Sequence, residues 1–178
     1  MYKPTLFAMT ALFAALSLQA QTPSAHIAEA KTIWNNAKGN LQKLADAMPE
    51  DSYGFKPTPD IRTFGELIAH IADAQGNFCA MAGGKTRPES AAKKTAKADL
   101  TAAMKASIAL CDAAFESITE ANASEVVGNG RMQRSRLATL EYNTVHSSEE
   151  YGYTAVYLRL KGIVPPSTAG RAPAPAAK

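Results

Sequence analysis

Four stretches of this sequence carry apolar residues at steps of three and four, and this period constrains the fold more than any other feature. Such spacing places the apolar side chains along one face of a helix. No stretch has the regular alternation of apolar and polar residues that is typical of a half-buried strand. The predicted helices span residues 25–48, 63–82, 90–119 and 134–161, and the third begins at either 90 or 97.

Residues that start or stop helices lie at the ends of these stretches. Pro49 ends the first helix, because proline lacks the amide hydrogen that a helix interior needs. Thr63 stands three residues before Glu66, which is the capping-box arrangement that begins a helix. Gly162 ends the last helix, since glycine is favoured just after a helical C terminus. Four amphipathic helices with short connections predict an all-α, antiparallel four-helix bundle.

The N-terminal segment has a composition of its own. Lys3 is its only charged residue, and residues 6–18 are almost wholly apolar. A positive start, an apolar run and small residues up to Ala20 predict a secretory signal peptide. An uncleaved anchor is the alternative, although the run is shorter than the roughly 20 residues that span a bilayer. We therefore expect a signal peptide over 1–20, a helical domain over 21–166 and a disordered Pro/Ala-rich tail over 167–178.

Charge and hydropathy restrict the partners of the chain. Its 178 residues carry 19 Lys and Arg against 16 Asp and Glu, a formal charge of +3. So small an excess argues against a nucleic-acid partner, which usually needs a clustered basic face. No second apolar stretch approaches membrane length, so we expect an exported protein, periplasmic or secreted, that leaves the membrane after signal cleavage. A homodimer is compatible with a helical bundle, but no exposed seam in the sequence predicts one.

The chain has two cysteines, Cys79 and Cys111. In an oxidising compartment, an even number of cysteines predicts a disulfide bond. The alternative is a pair of buried thiols that pack as small apolar groups. The two residues fall on helices 2 and 3, and they can meet only if helix 3 is offset or preceded by a long linker.

The three histidines are His26, His70 and His146. His146 stands four residues before Glu150 on helix 4, so both side chains lie on one face, one turn apart. His70 lies at the edge of the apolar stripe of helix 2, from which it can point at helix 4. Two imidazoles and a carboxylate suit a divalent metal with open coordination positions. The alternatives are a salt bridge between His146 and Glu150 and a hydrogen-bonded core histidine at position 70.

Two segments carry a resemblance to a known family. Residues 57–70, PTPDIRTFGELIAH, resemble the entry to helix 2 in the DinB-like superfamily. Residues 143–166, NTVHSSEEYGYTAVYLRLKGIVPP, resemble the last helix of that superfamily and its exit. Together the two segments bracket most of the predicted domain. The resemblance implies a four-helix bundle with a metal held by three side chains.

The implied ligands are one histidine from helix 2 and two from a His-x-x-x-His motif on the last helix. His70 and His146 match this pattern, but Glu150 replaces the usual second histidine. Glutamate also ligates zinc, nickel, manganese or iron, so the site either survives as two histidines and a carboxylate or has lost its metal. Asn143 and Glu149 are candidates for contacts around the ligands.

The resemblance favours two functions of different kinds. The first is a metal-dependent hydrolase or transferase, because some relatives in this superfamily resemble such enzymes. The second is a non-catalytic exported bundle that binds a small ligand or a partner and has a degenerate metal site. Neither the substrate nor the identity of the metal follows from the sequence, and whether the protein is an enzyme stays open at this point.

Overall fold

The computed structural model describes residues 24–170, so the predicted signal peptide and the end of the predicted tail lie outside the described residues. Four long helices account for most of this part of the chain, and the predicted all-α bundle is confirmed. Residues 167–170, at the start of the predicted tail, form a turn. None of the helices from residue 24 to 170 is long and apolar enough to cross a membrane. The helices are α1 (Ala25–Ala47), α2 (Phe64–Gly83), α3 (Lys97–Glu116) and α4 (Arg136–Leu160).

The helices begin where side chains satisfy their free amide groups. At the start of α2, Thr63 Oγ1 accepts a hydrogen bond from the Glu66 amide, and the Glu66 carboxylate accepts one from the Thr63 amide, at 3.2 and 2.7 Å. This confirms the predicted capping box. Ser135 caps α4 by accepting a hydrogen bond from the Ala138 amide. Gly84, with a φ of 62°, ends α2 in the left-handed conformation that glycine adopts without strain.

The helices are not arranged in chain order around the bundle. α2 packs mainly against α3 and α4, and α1 packs against the same two helices. The consecutive pairs α1–α2 and α3–α4 are therefore diagonal. Diagonal neighbours need connections that cross an end of the bundle, and residues 48–63 and 117–135 supply them. The prediction of short connections did not include these crossings, because the sequence does not show which helices are neighbours.

A two-residue strand pair within the second connection was not predicted. β1 (Val126–Val127) pairs antiparallel with β2 (Arg134–Ser135). Between them, Gly128 has a φ of 77°, and a Cβ atom there would lie 2.7 Å from the Met132 carbonyl oxygen. The strands are too short to produce a period-two pattern in the sequence, so only this local turn could have indicated them.

The first connection is anchored to the helices at both ends. The Tyr53 hydroxyl donates a hydrogen bond to the Ala45 carbonyl at 2.6 Å. The pKa of Tyr53 is raised, mainly because the side chain is buried. At the other end, the Tyr157 hydroxyl on α4 donates to the Arg62 carbonyl at 2.7 Å. The Phe55 ring also packs edge-on against the Tyr157 ring. The loop that precedes α2 is thus fixed against the C-terminal half of α4.

The core fills the space between the four helices. Trp34 of α1 stacks on Phe115 of α3 with ring centroids 5.7 Å apart, and its indole N–H donates to Asp112 at 2.7 Å. The partner for the N–H matters, because a buried polar group without one costs about 1–3 kcal/mol. The largest fully buried side chains are Ile27, Trp34, Leu41, Leu44, Met48, Phe64, Ile68, Ile71, Leu100, Met104, Leu140 and Leu158.

A disulfide bond joins Cys79 of α2 to Cys111 of α3, as the sequence predicts. The linker over residues 84–96 delays the start of α3 to Lys97, which brings Cys111 level with Cys79. Both residues have no exposed surface. The bond therefore fixes α2 against α3 from within the core.

Replacing Cys79 and Cys111 together by alanine should lower the free energy of unfolding by about 3–4 kcal/mol, because the bond closes a loop with a sequence separation of 32. Denaturant unfolding followed by circular dichroism measures this difference. A reductant should bring the original protein close to the variant and leave the variant unchanged. Equal stability of the two proteins under oxidising conditions would contradict the prediction.

Candidate metal centre

α2 and α4 are neighbours in the bundle, and their facing side chains form a cluster of three candidate metal ligands. His70 projects from α2, and His146 and Glu150 project from α4. The four-residue spacing of His146 and Glu150 places them on the same face of α4, as the sequence predicts. The structure thus brings together all three residues that the sequence analysis selected as ligands.

The three side chains lie close enough to share one ion. One potential ligand atom of each residue lies within 4.8 Å of those of the other two. His70 Nε2 is 3.5 Å from Glu150 Oε1, and His146 Nε2 is 3.8 Å from the same oxygen. Ligand atoms about 2.1 Å from a common ion are at most about 4.2 Å apart. The two distances to Glu150 satisfy this limit, and the remaining pair, His70 and His146, has ligand atoms within 4.8 Å.

Two buried atoms of this cluster have no hydrogen-bond partner among residues 24–170. They are Nδ1 of His146 and Oε2 of Glu150. Nearly all buried polar atoms in proteins are paired, so unpaired ones point to a missing water molecule or ion. Burial lowers the pKa of His146, although the Glu150 carboxylate opposes this effect by raising it. A lowered pKa favours the neutral imidazole, which is the form that binds metals.

The comparisons with known proteins agree with the fold. The sequence pattern of the DinB superfamily matches residues 34–153, a range that contains His70, His146 and Glu150. This chain belongs to the DinB superfamily. A comparison with curated proteins finds no match.

Several solved structures have the same fold as this DinB-superfamily chain. A DinB-like protein from Bacillus cereus ATCC 10987 has a TM-score of 0.69 and 20% identity, over 79% of this chain and 95% of that one. The DinB-like protein YjoA from Bacillus subtilis has a TM-score of 0.61 and 19% identity, over 75% of this chain and 92% of YjoA. A conserved protein from Enterococcus faecalis has a TM-score of 0.60 and 17% identity, over 80% of this chain and 99% of that protein.

The two residues predicted to surround the ligands of this DinB-superfamily site lie in different environments. Asn143 is fully buried, and its Nδ2 lies 3.7 Å from the Cys111 sulfur. It therefore connects α4 to the disulfide rather than to a ligand. Glu149 is exposed and accepts a hydrogen bond from the Tyr153 hydroxyl at 2.9 Å. This hydrogen bond is the main cause that raises the pKa of Tyr153.

The remaining histidine lies away from the cluster. His26 on α1 is largely exposed, and its Nε2 is 2.9 Å from Glu141 Oε1 on α4. The pair lies on the α1 side of α4, whereas the candidate metal centre lies on the α2 side. This placement agrees with the sequence analysis, which did not select His26 as a ligand.

A buried polar cluster that the sequence did not reveal lies next to the candidate centre. Gln75 of α2 accepts a hydrogen bond from Ser107 of α3 at 2.8 Å and donates one to Ser147 of α4 at 3.2 Å. Ser147 directly follows His146 in the chain. Gln75 therefore links three helices beside the ligands. In the sequence it looked like one polar residue within the apolar stripe of α2, and no signal there identified its partners.

Two clefts reach the candidate centre from solvent, one on each side of the loop 60–62. The apolar cleft, of about 730 Å³, is bounded by Leu67 and by the α4 residues from Glu150 to Leu160. The polar cleft, of about 510 Å³, reaches His70. Arg62 lines both clefts. Arg62 was not predicted as a site residue, because nothing in the sequence fixes where a loop side chain lies relative to the bundle.

Replacing Gln75 by methionine, which keeps the volume but removes both hydrogen bonds, should lower the free energy of unfolding by about 1–2 kcal/mol. The loss arises because the Ser147 hydroxyl stays buried without its donor. Chemical denaturation measures it. The matched control is the same change at the exposed Gln133, for which we expect little effect. Unchanged stability of the Gln75→Met variant would mean that the polar cluster adds nothing to folding.

Proposed function

We propose that this protein binds one divalent metal ion between α2 and α4 through His70, His146 and Glu150 and acts as a metal-dependent hydrolase or transferase. The observation that carries the proposal is the convergence of three ligand-type atoms within 4.8 Å. The second oxygen of the Glu150 carboxylate is buried without a partner among residues 24–170, which supports an ion beside this carboxylate. The DinB-superfamily pattern covers all three of these residues.

The ligand type limits the choice of ion. Two imidazoles and one carboxylate suit zinc, iron, manganese or nickel better than magnesium or calcium, which prefer oxygen ligands alone. Three protein ligands leave coordination positions for water or substrate, as is usual for a catalytic rather than a structural site. A bound ion of this kind supplies Lewis-acid chemistry and a lowered pKa for a bound water.

The protein side chains define how the centre opens to solvent. The side chain of Glu150 is 10% exposed and that of His70 is 33% exposed, so the centre is closed toward the core and open on the His70 side. The Glu149 carboxylate accepts a hydrogen bond from the hydroxyl of Tyr153, which lines the apolar cleft. This carboxylate is our candidate for accepting a proton during the reaction.

The second candidate function is a non-catalytic bundle that binds a ligand or a partner. It is favoured by the position of Glu150, which lies within 4 Å of both histidines and can pair with either of them without an ion. Glu150 also replaces the histidine that the family resemblance implies. The two candidates differ in whether the purified protein carries metal.

Metal content of the purified, untagged protein, measured by plasma mass spectrometry, tests the proposal. We expect about one ion per chain, and His146→Ala and Glu150→Gln should each remove most of it, because each deletes one of three ligands. The bound ion should also raise the melting temperature of the original protein but not that of Glu150→Gln.

The matched controls are His26→Ala and Glu141→Gln, which alter another His–Glu pair, 2.9 Å apart on a different face of α4. Both should retain the ion. A protein that stays free of metal after incubation with zinc, iron, manganese and nickel would rule out the metal centre and leave the non-catalytic bundle. A loaded protein whose Glu150→Gln variant performs equally in hydrolase and transferase screens would rule out the catalytic proposal.

We further propose that the protein is exported to the periplasm or beyond. The support is the signal-like composition of residues 1–20, together with a disulfide between Cys79 and Cys111, a bond typical of oxidising compartments.

Expression with its own N terminus in a Gram-negative host should yield a processed chain that begins at Gln21, since the small residue Ala20 ends the signal-like segment. N-terminal sequencing and intact mass of the periplasmic fraction measure this. An intact N terminus in the cytosolic fraction would contradict export, and one in the membrane fraction would indicate an uncleaved anchor.

A further inference from the structure

The apolar cleft beside the candidate centre has a wall of exposed aliphatic side chains. Ile61 on the loop is 43% exposed, and Val156 and Leu160 on α4 are 52% and 57% exposed. Leu67, which is buried, forms the floor. Apolar side chains gathered in one concave site, rather than scattered singly, are typical of a surface that binds an apolar group.

One end of this cleft carries a cation. The Arg62 side chain forms no ion pair with any residue from 24 to 170. Arg62 and Tyr157 both line the cleft. Burial raises the pKa of Tyr157, and the nearby Arg62 charge opposes this effect. The hydrogen bond from the Tyr157 hydroxyl to the Arg62 carbonyl fixes the backbone at this position. Arg62 is exposed, so its guanidinium is available to an anion.

The acidic residues near Arg62 limit where an anion fits. Asp60 lines both clefts, and Glu150 closes the inner end of the apolar cleft. In the proposed function Glu150 is a metal ligand, and a divalent ion held by one carboxylate and two neutral imidazoles keeps a net positive charge. The attractive region for an anion therefore lies between Arg62 and the metal-loaded centre, whereas the Asp60 carboxylate, which lines both clefts, repels an anion.

We propose that this cleft binds a small amphiphilic carboxylate, with its apolar chain against Ile61, Val156 and Leu160 and its carboxylate between Arg62 and the metal centre. This inference rests on the proposed function, to which it adds the class of substrate. Guanidinium recognises a carboxylate through paired hydrogen bonds, and the aliphatic wall recognises the chain through burial of apolar area. A cleft of about 730 Å³ accommodates a molecule of this kind.

Isothermal titration calorimetry with octanoate and with octanamide, its uncharged counterpart, tests the proposal on metal-loaded and metal-free protein. Octanoate should bind more tightly than octanamide, and loading with metal should increase the difference. Arg62→Gln should weaken the binding of octanoate about fivefold, which is the effect of removing one exposed charge pair, and should leave the binding of octanamide unchanged. Leu160→Ser, a change at an exposed position, should weaken the binding of both ligands. Arg131→Gln, a change at an exposed arginine near the N-terminal end of α4, should alter the binding of neither ligand.

The outcomes separate this inference from the proposed function, because metal content is measured on the same samples. Metal-loaded protein that binds octanoate no better than octanamide would overturn the inference and leave the metal centre standing. A protein that takes up no metal but still binds octanoate through Arg62 would support the carboxylate cleft and overturn the metal centre. The remaining outcome is a dimer in sedimentation experiments that the Leu160→Ser change dissociates. That result would assign the aliphatic wall to a second copy of the chain and overturn the inference.

Discussion

The packing of α2 against both α3 and α4 is the interaction on which the rest of the structure depends. Three residues of α2 make this contact specific, each through a different kind of interaction. Cys79 is bonded covalently to α3, Gln75 forms hydrogen bonds with α3 and α4, and His70 faces the carboxylate of α4. Apolar packing alone tolerates sliding and rotation between helices, whereas a bond and directed hydrogen bonds do not. The relative position of the candidate ligands is therefore set by contacts that lie deeper in the core.

Much of the fold and the His146–Glu150 pair followed from the sequence, because both depend on short-range regularities, whereas the match of His70 to that pair relied on the family resemblance. Helical periodicity, the Thr63–Glu66 capping box and the four-residue spacing of His146 and Glu150 are local patterns that tertiary contacts seldom override. The order of the helices around the bundle did not follow from the sequence. The sequence shows which residues share a helix face, but it does not show which other helix that face packs against. Gln75 and Arg62 were missed for the same reason, since their roles arise only when distant segments meet.

Glu150 is the position where this chain departs from the pattern that the family resemblance implies, and its surroundings show what a carboxylate changes there. A carboxylate has two oxygens, and here one oxygen faces both histidines while the other is buried without a partner among residues 24–170. Compared with a histidine, it adds a negative charge and a harder ligand to the centre. Such a centre holds a cation more firmly by charge, and it lowers the net charge that the bound ion presents to a substrate.

The diagonal placement of consecutive helices has a consequence for the order of assembly. α2 and α3 are adjacent both in the chain and in space, so they can form a hairpin early, and the disulfide can close within it. α1 can complete its packing only after α4 has arrived, because its neighbours are α3 and α4. In a chain that crosses a membrane N terminus first, α4 emerges last, and the ligand set stays incomplete until then. Such a protein would acquire its ion from the destination compartment, so the metals available there, rather than those of the cytosol, would decide its loading.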